Sequence, residues 1–183
     1  MTQDLTDMLT RTARLIAGDG HAAGLKPVQW QALRYLAAAN RFSRTPGALA
    51  AWLGQTKGTV SQTVATLERK GLVARTGDAG DRRLVRLALT PQGETLLASA
   101  PDTIAEAMLA PMAPADRAAL EALLARMLGG FLAARGHRPF GLCANCRHFR
   151  RDAEGGNPHR CALLDVPLDE TDSRAICIEQ EAA

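Results

Sequence analysis

Residues 45–90, TPGALAAWLGQTKGTVSQTVATLERKGLVARTGDAGDRRLVRLALT, decide the fold of this chain. Pro46 opens a short helix that runs to Leu53, because a first helical turn does not need the N–H that proline lacks. Gly54 supplies the turn, where a residue without Cβ bends tightly at little cost. A second helix begins with Thr56 as its N-cap and stops at Gly71. Val60, Val64 and Leu67 recur at helical spacing and belong to the core face. Lys57, Thr59, Ser61, Gln62 and Thr63 are left on or beside the outward face of the helix start. A polar helix start without acidic residues is the kind that enters a DNA major groove. Leu72–Arg75 and Leu84–Leu89 then alternate apolar and polar, joined by TGDAGDRR. That pattern predicts a hairpin with a basic tip.

Composition agrees with this reading. Of the 183 residues 46% are hydrophobic, but much of that share is Ala and Leu and only 4% of the chain is aromatic. The mix favours helices over strands. From Arg41 to Thr90 there are nine Lys/Arg against three Asp/Glu, a local net of +6 in a chain of net +3, so the remainder carries −3. A basic head on a mildly acidic body suits a partner lined with phosphates. The first residues, MTQDLTDML, lack the basic and apolar runs of a signal peptide. No run of 18 apolar residues offers a membrane span. These features point to a cytoplasmic protein with reduced thiols and no membrane partner. No phosphate-binding loop, nucleophile–base pair or paired carboxylates appear, and His21, His137, His148 and His159 are widely dispersed. The chain does not read as an enzyme.

Outside the quoted stretch, residues 4–17 (DLTDMLTRTARLIA) place Leu5, Met8, Leu9, Ala13 and Ile16 on one helical face. A helix over Pro27–Ala39 follows the loop GDGHAAG. After Thr90 comes a long helical region interrupted around Pro101 and Pro111–Pro114. Its last helix, Pro114–Ala134, carries an apolar stripe of Leu120, Leu123, Leu124, Met127, Leu128 and Phe131. The composition then changes. Residues 136–140 read as a linker, and 141–183 as a short irregular extension containing cysteines. The expected architecture is therefore mainly α with a small β-hairpin wing, a winged helix-turn-helix whose reading head spans about 41–90.

GLKPVQWQALRYL (24–36), LERKGLV (67–73) and GDAGDRRLVRLALTPQGETLL (77–97) together carry a family likeness. Residues 1–135 resemble the MarR family of winged-helix transcriptional regulators. The resemblance implies a homodimer held by helices at both ends of the domain. It also implies a pseudo-palindromic double-stranded operator, with two reading helices in successive major grooves and each wing tip in a flanking minor groove. Thr56, Lys57, Thr59, Ser61, Gln62 and Thr63 become candidates for base or phosphate contact. Asp81 and Arg82 match the wing-tip pair in which the acid orients an inserted arginine, and Arg83 would meet the backbone. Gly80 departs from the further arginine common in the family. Arginine suits a narrow groove of enhanced negative potential. Family members often bind small aromatic effectors, and Trp30, Tyr35 and His21 are candidates to line such a pocket.

All four cysteines lie in the last 41 residues as C-x2-C-x14-C-x15-C: Cys143, Cys146, Cys161 and Cys177. So short an extension cannot easily bury enough core to order itself, and a bound metal would supply the missing stability. Structural zinc with four cysteines ordinarily uses two close pairs, whereas this chain has one pair and two singles. Iron–sulfur clusters accept such spacing, since each thiolate can come from a different loop. The order looks like that of high-potential iron–sulfur proteins, which hold a cubane cluster, although few shielding aromatics beyond Phe140 and Phe149 are present. The residues favour an iron–sulfur cluster and leave zinc as the alternative, with His148 and His159 as substitute ligands. A cluster would make the protein a sensor acting through the packing of the extension on the dimer helices. Zinc would make the extension a structural clip and the aromatic ligand the effector.

Overall fold

A computed structural model describes residues 4–18, 23–77, 84–137, 139–151 and 158–181. Among the described residues seven helices and one hairpin precede the extension: α1 (Leu5–Ala17), α2 (Pro27–Ala38), α3 (Pro46–Leu53), α4 (Lys57–Arg69), β1 (Val73–Gly77), β2 (Val85–Leu89), α5 (Pro91–Ala98), α6 (Ile104–Leu109) and α7 (Pro114–Ala134). The expected winged helix-turn-helix is present. Thr45 caps α3 by accepting from the Ala48 amide, and Thr56 caps α4 by accepting from the Thr59 amide. Gly54 between them is left-handed at φ 61°. β1 and β2 pair antiparallel from Val73↔Leu89 to Gly77↔Val85. Each strand begins one residue later than the alternation predicts.

That core is built from one face of each element. Trp30, Leu33, Tyr35 and Leu36 of α2 meet Leu49 of α3, Val60, Val64 and Leu67 of α4, and Leu72, Val73 and Leu87 of the hairpin. Burying each large aliphatic side chain contributes about 1.5–3 kcal/mol. α1 and α7 behave differently: neither has a buried residue. Leu5, Met8, Leu9 and Leu15 of α1 and Leu123, Leu124, Met127, Leu128 and Phe131 of α7 are all exposed.

The extension is poor in helix, as expected, and folds as two small antiparallel sheets. β3 (Gly141–Leu142) pairs with β7 (Ile176–Cys177), while β4 (Phe149–Arg151), β5 (His159–Cys161) and β6 (Val166–Leu168) form the other. A 3-10 turn, Cys143–Asn145, follows β3, and the one-turn helix α8 (Glu170–Ser173) precedes β7. The extension is bonded to the reading head. Ala39 bridges Ile176, the Asn40 amide donates to the Ile176 carbonyl at 2.9 Å, and Phe140, Ile176 and Ile178 pack against the main core.

Candidate nucleic-acid interface and cysteine cavity

The start of α4 presents its polar side chains outward because Val60, Val64 and Leu67, at 0–1% exposure, fix the helix's orientation. Thr56, Lys57, Thr59, Ser61 and Gln62 are exposed. The Thr56 and Thr59 hydroxyls bond each other at 2.9 Å while Thr56 also caps the helix. No acidic side chain lies in the first turn, and Arg69 lies in the last. Thr63 corrects the expectation drawn from sequence. It is 8% exposed, and its hydroxyl donates to the Thr59 carbonyl at 3.2 Å. Positions 60, 63, 64 and 67 share one face of a 3.6-residue helix, so Thr63 faces inward with the valines.

Behind this surface, Arg75 pairs with Glu68 at 3.1 Å, joining β1 to α4. Asp81, Arg82 and Arg83 lie outside the described residues, as does His21. Trp30 and Tyr35 are core residues rather than pocket walls, each 2% exposed. The Tyr35 hydroxyl donates to the Ser43 carbonyl at 2.8 Å, and its ring meets Trp52 and Phe140 at 5.3 and 6.4 Å. Burial pushes the Tyr35 phenol above its ordinary value. An aromatic at helical spacing is absorbed by the nearest core unless a cavity is held open beside it.

The four cysteines converge. Cys143 follows β3, Cys146 closes the 3-10 turn, Cys161 ends β5 and Cys177 ends β7. All four line one cavity, together with Phe149, Leu163 and Leu168. The cavity they enclose is small, about 20 Å³. His148 and Glu179 also border it. The backbone holds the cysteine loops: the Cys143 amide donates to the Ala175 carbonyl, Cys146 to Cys143 and Phe149 to Cys146. Cys143 and Cys177 are buried, and Asn40 Nδ2 donates to Cys143 Sγ at 3.2 Å. A hydrogen bond with the Cys177 side chain, and then burial, push the Cys143 thiol above its ordinary value, with the Asn40 bond opposing. Loading a metal there must displace protons.

Four thiols converging on one cavity are a donor set that both zinc and an iron–sulfur cluster accept. Zinc draws four sulfurs to about 2.3 Å from a single centre. Among the described residues no three His, Cys, Asp or Glu side chains close on one such point. The thiols line one small cavity, and two of them, Cys143 and Cys177, are hydrogen-bonded to each other. His159 is not drawn in. Its Nε2 lies 3.2 Å from Glu170 Oε1, and its ring packs 4.7 Å from that of Phe149.

A capped helix pair on an apolar frame, with an antiparallel wing behind it, defines a winged helix-turn-helix protein. A family model described as MarR family matches residues 23–84. MepR of S. aureus in complex with DNA is similar at 25% identity and TM-score 0.55, over 69% of this chain and 95% of that one. The same S. aureus protein in its DNA-binding conformation gives 25% identity and TM-score 0.55, over 69% and 93%. A "probable transcriptional regulator from Pseudomonas aeruginosa" gives 30% identity and TM-score 0.51, over 68% of this chain and 97% of that one. None of the curated proteins matches the chain. The chain belongs to the MarR family. No helix among the described residues is long and apolar enough to cross a membrane.

Proposed function

We propose that this chain is a homodimeric, sequence-specific DNA-binding transcriptional regulator, a repressor, that carries an iron–sulfur cluster on Cys143, Cys146, Cys161 and Cys177. The observation that carries the DNA-binding reading is the start of α4, where Lys57, Thr59, Ser61 and Gln62 stand exposed on a helix fixed by its buried face. The DNA-bound S. aureus relative supports it. The exposed apolar side chains of α1 and α7 support the homodimer, because so many large apolar groups left uncovered mark an interface. Two copies of α4 related by a dyad suit a pseudo-palindromic operator.

Gln62 would read a base edge, and Lys57 would meet phosphate. Gln62→Ala is expected to lose about 1–3 kcal/mol of discrimination at one base pair and little elsewhere. Binding to a set of singly substituted duplexes measures this, and an equal loss on every sequence would remove Gln62 from base reading. Arg82→Ala should weaken binding on all sequences and reduce the slope of log affinity against log salt by roughly one.

The four thiols around an apolar cavity support the cluster. When bound, such a cluster supplies one-electron redox chemistry or a state that is lost when iron is scarce. The protein's own part is to present four thiolates and to shield them with Phe149 and the buried Leu168. An anaerobic preparation's visible spectrum, with iron, sulfide and zinc analysis, tests this. A brown protein containing iron and sulfide is expected. A colourless protein with one zinc per chain would overturn the cluster and make the extension a structural clip.

A further inference from the structure

The connector between α2 and α3, residues 39–45, is bonded on one side to the cysteine extension and on the other to the wing. Asn40 holds the centre of it. Its Nδ2 donates to Cys143 Sγ at 3.2 Å, and its amide donates to the Ile176 carbonyl at 2.9 Å. Its Oδ1 accepts from the Phe42 and Ser43 amides at 3.1 and 2.8 Å, which shapes the turn. Ser43 Oγ accepts from the Ile178 amide at 2.9 Å. Cys177 is thus flanked on both sides by residues bonded to the connector. Arg41 reaches Asp172 at 3.3 Å and the Pro167 carbonyl at 2.5 Å. On the wing side, the Leu87 amide of β2 donates to the Arg44 carbonyl at 2.7 Å, and Arg86 donates to the Arg41 carbonyl at 2.7 Å.

We propose that loading of the cysteine centre is transmitted to the DNA-reading head through residues 39–45, with Asn40 positioning Cys143. This rests on the cluster reading above, and it relocates the coupling from the dimer helices to the connector. Thiols that fasten to a cluster lose their freedom to rearrange, and Cys143 and Cys177 pull directly on Asn40, Ile176 and Ile178. The connector then holds β2, and with it the placement of the wing against α3 and α4. A cluster biases DNA affinity only through different contacts in its loaded and cluster-free states, and this bonded path supplies them.

The test uses the full chain, cluster-free and after anaerobic reconstitution with ferrous iron and sulfide. Iron content and the visible spectrum report the centre, and amide hydrogen exchange reports the path. On loading, the Asn40, Ile178 and Leu87 amides are expected to exchange about tenfold more slowly, within the usual range of coupling between sites. Arg41→Met and Ser43→Ala leave the four cysteines and Asn40 in place. Each should take up iron as the wild type does, yet lose most of the slowing at Leu87. Asn40→Asp keeps the acceptor that shapes the turn but removes the N–H donated to sulfur, so the cluster's potential should become more negative. If loading slows exchange within 141–181 while Asn40 and Leu87 stay unchanged, the coupling is overturned and the cluster stands. Failure to take up iron overturns both. An unchanged potential in Asn40→Asp removes Asn40's role.

Discussion

Replacing Gly93 with alanine is expected to destabilise the domain by about 3 kcal/mol, the upper range for forcing an atom into a packed site. A Cβ there would lie 2.2 Å from the Leu72 carbonyl oxygen and 3.1 Å from its carbon. Both are backbone atoms, which cannot swing aside as a side-chain tip would. The Leu72 carbonyl also accepts the Thr90 amide at 3.1 Å, the bond that ties the exit of β2 to the entry of β1. Thr90 in turn caps α5 by accepting from the Gly93 amide at 3.1 Å, and its hydroxyl donates to the Gly71 carbonyl at 2.5 Å. Relieving the clash therefore pulls apart the latch that closes the hairpin, and it displaces Leu72 and Val73 from the core. A loss of this size lowers the melting temperature by roughly 6–12 °C in a chain of this length. Melts must be run at one protein concentration, since association with a second copy adds to apparent stability. Gly47→Ala is the control. A Cβ at Gly47 of α3 meets nothing within 4 Å, so the better helix former should leave the melting temperature unchanged or raise it. A Gly93→Ala protein that melts with the wild type would show that this close approach is not present.

Gly93 also marks where sequence reasoning stops. TPQGETLL reads as a helix start, and nothing local in it says that a backbone carbonyl twenty-one residues earlier leaves no room for a Cβ. The helix-turn-helix was legible because its determinants are local: Pro46 and Thr56 at helix starts, Gly54 in the turn, and Val60, Val64 and Leu67 at a 3.6-residue period. Thr63 faces inward although its polar type argues for an outward position, because the apolar stripe of a helix is broad enough to take it in. Its hydroxyl is satisfied within the helix, so burial costs little. Trp30 and Tyr35 were visible as apolar positions, but whether an aromatic lines a pocket or fills a core depends on neighbours such as Trp52 and Phe140 that sequence does not bring together. The cysteines announced themselves by clustering and spacing. Their attachment to Asn40, across 103 residues, leaves no periodic trace.

Cys177→Ser should bring iron and sulfide to background and abolish the visible band, because a cubane held by cysteine needs a thiolate at each corner. Serine is close in size, and the pairing of Cys177 with Gly141 is made by backbone, so the strand itself is not the casualty. What is lost is a sulfur on the cavity wall and the partner of the Cys143 thiol. The reading head should remain folded, since its central Leu49, Val60 and Leu67 pack with Leu33 of α2 in one buried core whose other fully buried members come from α2, α3, α4 and the hairpin. Its helical signal is therefore expected to persist while the colour disappears. The extension should suffer locally, because a segment of this size has little core of its own, and Ile176 and Ile178 lean on the main core only partly buried. Limited proteolysis within 141–181 should become faster in the variant, whereas cleavage within 46–69 should not. Gly93→Ala reverses the pattern, weakening the head while the four thiols stay in place. Retention of a full complement of iron and sulfide by Cys177→Ser would remove Cys177 from the ligand set. Loss of helical signal together with colour would instead mean that the reading head depends on the centre to fold.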